Sequence, residues 1–227
     1  MAVAFAVLDK QVKSTLSTLH DYLWMGQKTD VAELKRDIVA VGTRMEGFLG
    51  KKSGFAKPVG LLAADLTKNS EGSGTLYSLI SNFWYLTAAT EHLAGKKYAT
   101  AAARCFEVVD GPMIGFASAL GHHDWVDERR SGKVSYEAYL KRVADAMEAK
   151  GAKSMGQLKR LAAMVAEVRQ GVGTKSVPSA PVAVKAAIHA AALFLTLYPE
   201  VLRELGWYAD RPYKDYPRLA EFIASRA

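Results

Sequence analysis

Hydrophobic residues recur at helical spacing along most of the chain. The pattern is clearest over residues 30–50, where the apolar positions are separated alternately by three and four: Val31, Leu34, Ile38, Val41, Met45 and Phe48. That spacing places them on one face of a helix. Asp30 stands at the expected N-cap, and Glu33 three residues later predicts a reciprocal capping box, in which each side chain accepts a hydrogen bond from an otherwise unpaired backbone N–H. An amphipathic helix is therefore predicted to begin after Asp30.

A second amphipathic pattern precedes it, with apolar residues on one face at Phe5, Leu8, Val12, Leu19 and Tyr22. The polar residues 26–29 separate the two predicted helices. Neither helix can bury its apolar stripe alone, so helices joined by so short a turn are expected to pack antiparallel. The first predicted element of the fold is an antiparallel N-terminal hairpin.

The rest of the chain is also predicted to be helical. Residues 76–86 are apolar on nearly every face, which is typical of a central helix surrounded by others, with a strand as the alternative. Pro112 follows Asp110 and a glycine, and this predicts a helix end. Ser154 with a glutamine three residues later predicts a capping box. Pro199 predicts a bend or break in the penultimate helix.

These patterns predict an all-α fold, a multi-helix bundle of about eight to ten helices. Gly, Thr, Ser and Pro follow one another closely over residues 172–181, and this composition indicates a linker. The linker would separate a main helical bundle, residues 1–171, from a C-terminal helical segment, residues 182–227. One continuous domain is the alternative.

Composition indicates a folded protein of a reducing compartment. The chain has 227 residues, half of them hydrophobic, which is enough for a substantial core. Its single cysteine, Cys105, permits no internal disulfide, and the N-terminus lacks a signal-peptide pattern. The longest weakly polar run contains His189, ends at Pro199 and is shorter than a membrane-spanning helix. We therefore predict an intracellular, cytoplasmic protein without a transmembrane segment, for which contact with a membrane surface stays open.

No local motif indicates catalysis or metal binding. His20, His92, His122 and His123 lie beside acids or one another, but without the Glu-x-x-His or His-Glu-x-x-His spacing that puts ligands on one helix face. Cys105 lies in an alanine-rich helical segment, which is typical of a packing cysteine. The sequence predicts no catalytic residue, no metal site and no cofactor. An enzyme whose residues meet only in the folded chain is one alternative to a non-enzymatic protein.

Positive charge is the remaining clue to function. The chain carries 30 Lys and Arg against 23 Asp and Glu, a formal charge of +7 that is spread evenly. Four basic clusters stand out: Lys51, Lys52 and Lys57; Lys96 and Lys97; Arg129 and Arg130; Arg211 and Lys214. The first flanks a predicted helix start, where free backbone N–H groups favour an anion. Two have a tyrosine alongside, and cations mixed with aromatic rings are typical of a single-strand nucleic-acid groove, as well as of ordinary solvated connectors.

We interpret the chain as a non-enzymatic helical interaction or structural protein, a subunit of a larger assembly whose partners are other subunits or copies of itself. Its basic loops would bind RNA, DNA or another anionic surface. The size, the helical pattern and the scattered basic clusters are similar in kind to the nucleoproteins of segmented negative-strand RNA viruses, an analogy that no motif carries. The rival hypothesis is a helical bundle that binds an apolar ligand or lipid at a membrane surface, around Phe83, Trp84 and Tyr85.

Overall fold

The computed structural model describes residues 2–68, 71–172, 180–207 and 216–227. Within these ranges the backbone forms ten α-helices, a short 3₁₀ turn at Lys51–Ser53 and no strand. The helices are α1 (Ala2–Trp24), α2 (Val31–Leu49), α3 (Ala56–Ala64), α4 (Glu71–Ala94), α5 (Tyr98–Ala119), α6 (His123–Arg130), α7 (Tyr136–Ala149), α8 (Met155–Gly171), α9 (Ala180–Glu204) and α10 (Tyr216–Ala224). The predicted all-α multi-helix fold is confirmed, and residues 76–86 are helical.

The chain divides into two compact units. Unit 1 covers Met1–Trp84 and unit 2 covers Tyr85–Ala227, so the boundary falls inside α4. Within unit 2, α9 packs against α5, α8 and α10. The predicted linker at residues 172–181 lies largely outside the described residues, and the division into residues 1–171 and 182–227 stays a prediction.

The first two helices of unit 1 form the predicted antiparallel hairpin. Phe5, near the start of α1, lies 5.8 Å from Phe48, near the end of α2, measured between ring centroids. Asp30 caps α2, because its Oδ1 accepts hydrogen bonds from the backbone N–H groups of Ala32 and Glu33 at 2.9 and 3.1 Å. The predicted N-cap is thus confirmed. The Asp30 side chain thereby satisfies backbone N–H groups of the first turn, which have no carbonyl acceptor within the helix.

α3 packs closely against α2 at a glycine. A Cβ atom at Gly42 would lie 2.7 Å from Cγ1 of Val59, which is closer than carbon atoms pack. Phe55, at the N-cap of α3, is fully buried, and its ring lies 6.0 Å from that of Phe83 on α4. The absence of a side chain at Gly42 therefore permits the close approach of α2 and α3.

Trp84 anchors the end of unit 1 to α1. Its residue surface is 1% exposed, and its ring stacks on Phe5 with the centroids 5.1 Å apart. The indole N–H donates to Oδ1 of Asp9 at 2.9 Å. A buried tryptophan usually needs such an acceptor, because an unpaired N–H loses its hydration without replacement.

In unit 2, α5 is continuous through Pro112, so the predicted helix end near Asp110 is wrong. Proline has no N–H and leaves the carbonyl of Val108 without its helical donor. Pro112 is buried together with Val109 and Met113 beside it. Burial of this apolar face against neighbouring helices outweighs the local preference to break.

The predicted capping box at Ser154 is also wrong. The Ser154 side chain makes no capping hydrogen bond to α8. Instead, the backbone N–H groups of Lys153 and Ser154 donate to the Glu204 carboxylate at 2.8 and 3.3 Å, which ties the start of α8 to the end of α9. The result at Ser154 thus depends on a contact between segments far apart in sequence. α9 continues through Pro199 to Glu204, so the predicted break is wrong, whereas a bend at Pro199 stays a prediction.

α9 is long and apolar enough, by length and composition, to cross a membrane. It has 25 residues, and its most apolar stretch has a mean hydropathy of 1.7. The same composition suits the core helix of a soluble bundle, and 44% of that stretch is buried. The predicted absence of a transmembrane segment therefore stays a prediction.

Candidate anion-binding cleft

Four helices of unit 2 meet around a surface cleft that contains two arginines. The cleft is lined by Phe106 of α5, Arg129 of α6, Tyr136 of α7 and Arg169 of α8. The cleft has a volume of about 390 Å³. We call it the arginine cleft, and its lining consists of Phe106, Arg129, Val134, Tyr136, Ala166, Arg169 and Gln170.

An ion pair between Arg129 and Asp110 fixes one wall of the arginine cleft. Nη1 of Arg129 lies 2.7 Å from Oδ1 of Asp110, and the two side chains are only 14% and 13% exposed. Burying either charge alone would be strongly unfavourable. Burial raises the pKa of Asp110, and the positive charge of Arg129 limits that rise. The pair holds Arg129 against α5.

Two tyrosines of α7 lie against the Arg129 guanidinium. Its Cζ is 5.6 Å from the ring centroid of Tyr136 and 5.3 Å from that of Tyr139, both within cation–π range. The Tyr139 hydroxyl donates to the carbonyl of Met113 at 3.1 Å. Burial, followed by the charge of Asp110, raises the pKa of both phenols above the ordinary value. Both tyrosines are therefore neutral at physiological pH.

Arg169 is the exposed cation of the arginine cleft. Its Cζ lies 4.1 Å from the ring centroid of Phe106, a close cation–π contact. Phe106 is itself 8% exposed, and its ring lies 5.1 Å from that of Tyr136. Because the ring beneath it is fixed by packing, the guanidinium is held in place while the residue remains open to solvent. A planar guanidinium fixed in this way is suited to a phosphate or carboxylate.

The arginine cleft continues as a groove between α7 and α8. An adjoining concavity of about 460 Å³ is lined by Ser135, Tyr136, Glu137, Ala163, Ala166, Glu167 and Gln170. A further concavity of about 390 Å³ is lined by Ser135, Glu137, Ala138, Leu140, Lys141, Lys159, Arg160 and Ala163. Because neighbouring concavities share lining residues, we treat all three as one surface, the α7–α8 groove.

The α7–α8 groove has cations at both ends. The cations are Arg129 and Arg169 at one end and Lys141, Lys159 and Arg160 at the other. Arg160 and Arg169 both belong to α8, and their separation in sequence corresponds to about 14 Å along the helix. That distance suits anionic groups repeated along a chain better than one small ion.

Acidic side chains modify this charge pattern. Glu137 and Glu167 line the middle of the groove. Lys141 is paired with Asp145 at 2.5 Å, so part of its charge is neutralised. Arg160 and Arg169 form no ion pair with any of the described residues. The two ends of the groove are therefore the places where an anion would be attracted.

The structure brings only part of the predicted basic residues of unit 2 to the groove. Arg129 lines it, and Arg130, the next residue, is exposed. Lys96 and Lys97 are exposed just before α5. Lys97 precedes Asp110, the partner of Arg129, by about 20 Å along α5. These two lysines therefore do not share a site with Arg129.

Lys51, Lys52 and Lys57 are exposed in unit 1, on the 3₁₀ turn and the first turn of α3. The backbone N–H of Ala56, at the start of α3, donates to the Glu46 carboxylate at 2.8 Å. A carboxylate of the protein thus already occupies one of the N–H groups that the predicted anion site would use. Anion binding by the three lysines stays a prediction.

Two further sets of predicted site residues also stay predictions. Arg211 and Lys214 lie outside the residues that the structure describes. Phe83 and Trp84 are buried in unit 1, where they pack against α3 and α1. Tyr85, in unit 2, is half-buried. The apolar-ligand hypothesis therefore concerns two side chains already used in core packing and one that is partly accessible.

Sequence reasoning did not identify Phe106, Arg169, Lys159 or Arg160 as site residues. Phe106 and Asp110 are four residues apart on α5 and so share a face, but only the packing of α8 brings Arg169 to that face. The one usable signal was Asp110. No cation lies three or four residues from Asp110 on α5, so this carboxylate, if buried, requires a cation from another segment.

The histidines of the sequence are dispersed. In the part of the chain that the structure describes, no three His, Cys, Asp or Glu side chains gather as a metal site would require. His122 instead stacks on Trp125, with the ring centroids 3.7 Å apart and the planes nearly parallel. Its Nδ1 lies 3.9 Å from the Asp124 carboxylate. These contacts are typical of a surface elbow between helices.

Cys105 is buried on α5. Burial raises the pKa of its thiol to about 12. The nucleophilic form of cysteine is the thiolate, so the side chain is neither ionised nor accessible near neutral pH.

Comparison of the chain with protein-family models, with curated proteins and with solved structures gives no match. The groove and its charges are therefore the basis on which function can be argued.

Proposed function

We propose that the protein is a non-enzymatic helical subunit of a larger assembly and that it binds single-stranded nucleic acid in the α7–α8 groove. The observation that carries the proposal is the placement of Arg169. Its guanidinium lies 4.1 Å from the centroid of a buried phenylalanine ring, beside Arg129, at the end of a groove that has further cations at its other end.

The spacing of charge favours a polymeric anion. Arg160 and Arg169 are about 14 Å apart along α8, so one small anion cannot contact both. A sugar-phosphate backbone presents charges at regular intervals and can contact both ends of the groove. Arginine also forms paired hydrogen bonds with phosphate oxygens.

The chemistry of Arg169 favours a single strand over a duplex. Its Cζ lies over the Phe106 ring, 4.1 Å from the centroid, and the residue is exposed to solvent. An exposed guanidinium can stack with an unpaired base, as arginine planes do in single-strand recognition. In a duplex the base faces are covered by neighbouring bases, so no base face would remain for stacking on Arg169.

An exposed face of α9 supports the assembly part of the proposal. Val182 and Leu193 are 68% and 43% exposed, and their spacing of three helical turns puts them on one face. Ala186 and His189, between them on that face, are exposed too. A weakly polar helical face of this kind is typical of a contact with another subunit. We expect light scattering to show an oligomer that Leu193→Glu weakens and that Leu61→Glu, at an exposed site in unit 1, leaves intact. A strict monomer would contradict this part of the proposal.

Fluorescence anisotropy with labelled oligouridylate tests the nucleic-acid part. We expect the full chain to bind at low salt and to lose affinity steeply between about 50 and 200 mM salt. Binding releases salt cations condensed on the strand, and added salt opposes that release. Arg169→Gln should weaken binding by about tenfold or more, which corresponds to the loss of a hydrogen bond to a charged group. It should also lower the slope of log affinity against log salt concentration by about one.

Arg203→Gln is the matched control, because it removes an equally charged and exposed arginine from α9. We expect this variant to bind as the wild type does. Equal weakening by Arg169→Gln and Arg203→Gln would indicate non-specific attraction by net charge and would contradict the proposed site.

A further inference from the structure

Three aromatic rings gather at the end of α1 in unit 1. The ring centroid of Trp24 lies 5.2 Å from that of His20 and 5.2 Å from that of Tyr77, and the latter two are 6.3 Å apart. His20 and Trp24 are four residues apart on α1 and share a face, whereas Tyr77 comes from α4. We call His20, Trp24 and Tyr77 the Trp24 platform.

Trp24 is unusually exposed for a ring held by two others. It is 54% exposed and Met25 beside it is 62% exposed, whereas Trp84 in the same unit is 1% exposed. An indole left in water forgoes the free energy of burial. Tyr77 meets the indole edge-on, at an interplanar angle of 86°. Because these contacts fix the ring, a flat partner would bind without the entropy cost of ordering it.

Positive charge lies at the turn that follows Trp24. A Cβ atom at Gly26, in the turn that follows α1, would lie 3.7 Å from Nζ of Lys68. Lys28 is exposed in the same turn. The acid nearest in sequence, Asp21, has its carboxylate 3.4 Å from Nδ1 of His20 and so faces the imidazole. Lys68 and Lys28 thus supply positive charge at the turn that follows Trp24.

We propose that the Trp24 platform is a second contact for single-stranded nucleic acid, at which an unpaired base stacks on Trp24 and an adjacent phosphate meets Lys68. This inference rests on the proposed function for its class of ligand, but different residues in a different unit carry it. Every base has a π face, so the stacking contact would be tolerant of sequence. Stacking on Trp24 requires the base itself, whereas a contact with the lysines requires only the sugar-phosphate backbone.

That distinction makes the proposal testable with the full chain and two strands of equal length and charge. One is oligouridylate, and the other has the same backbone with abasic sugars. We expect Trp24→Ala to weaken binding of oligouridylate by about 5- to 150-fold, the range for loss of one stacked base, and to leave binding of the abasic strand unchanged. Trp24→Phe, which keeps a ring, should restore most of the affinity.

Leu61→Ala is the control, because it removes a 58% exposed apolar side chain of unit 1 outside the platform. It should not change binding, and circular dichroism should show all variants folded. If Trp24→Ala weakens binding of both strands equally, or of neither strand, the proposal is overturned. An oligomer lost in Trp24→Ala would assign the ring to a contact between copies of the chain and overturn it as well.

The outcomes also separate this inference from the proposed function. If the wild type binds neither strand, both fail. If Arg169→Gln weakens binding of oligouridylate and Trp24→Ala does not, the groove stands and the platform fails. If the reverse holds, the platform stands and the groove fails.

Discussion

Arg129 of α6 and Asp110 of α5 form a largely buried ion pair at the wall of the arginine cleft, with 2.7 Å between Nη1 and Oδ1. The pair joins two helices across a polar elbow, and it brings the Arg129 guanidinium against the rings of Tyr136 and Tyr139. The wall of the arginine cleft is thus also part of the folded core. Stability and binding at this site are therefore expected to be linked.

Arg129→Met should destabilise the protein far more than the same change at a surface pair. The substitution leaves the Asp110 carboxylate buried without its cation, for which we expect a loss of about 3–5 kcal/mol in the free energy of unfolding. Arg142→Met removes the partner of Glu128, a pair at 2.6 Å whose side chains are 45% and 38% exposed, and should cost less than about 1 kcal/mol. Urea denaturation of both variants measures the difference, and equal losses would contradict a buried pair.

The pH dependence of stability should reveal Asp110. Burial raises the pKa of this carboxyl in the folded protein, so the folded state holds the proton more tightly than the unfolded state. Between the ordinary pKa of about 3.9 and the raised value, the unfolded state binds fewer protons, and stability falls as pH rises. Urea unfolding of the wild type and Asp110→Asn between about pH 4 and pH 7 tests this. The wild type should lose stability relative to the variant, and a relative gain would mean that Arg129 lowers the pKa of Asp110.

Two glycines of α2 should respond oppositely to alanine. At Gly42 a Cβ would lie 2.7 Å from Val59, so we expect Gly42→Ala to destabilise by about 1–3 kcal/mol. At Gly47 nothing lies within 4 Å, and alanine should stabilise the helix by about 0.5–1 kcal/mol. Adding Val59→Ala to Gly42→Ala should recover part of the loss. Thermal unfolding of the three variants gives the comparison, and the same sign for both glycines would contradict the close approach of α3.

Cys105 should not react with thiol reagents in the folded state. Its thiol is buried, and burial raises its pKa to about 12, so both access and ionisation oppose the reaction. We expect no modification by a disulfide reagent at about pH 8 under native conditions and complete modification after unfolding. The reaction followed by absorbance checks this. Rapid reaction of the native protein would show that α5 opens or that Cys105 is accessible.

The parts of the fold that the sequence predicts correctly depend on neighbouring residues. The apolar seam of α2 and the Asp30 cap follow from spacing within one helix. The cap is confirmed, and four of the six seam residues are buried, whereas Val31 and Phe48 are half-buried. Pro112 and Ser154 lead to wrong predictions because residues distant in sequence decide their environment. Pro112 is buried on a packed face, and the backbone N–H of Ser154 donates to Glu204 on another helix.

The candidate site depends even more on distant contacts. Arg129 was predicted as a surface cation, but its partner Asp110 is in a different helix. Arg169 belongs to the site only because α8 packs beside α5 and sets its guanidinium over Phe106. No spacing within the chain encodes that contact. Charge and aromatic content could indicate the class of ligand, and only the packing of helices indicates where it would bind.

Photo-crosslinking followed by mass spectrometry tests the central claim most directly. An oligouridylate containing thiouridine would be bound to the full chain at low salt, irradiated and mapped to peptides. We expect cross-linked peptides from α7 and α8 around Tyr136 and Arg169, and their loss in Arg169→Gln but not in Arg203→Gln. Efficient cross-linking that leaves the α7–α8 groove unmodified would contradict the claim.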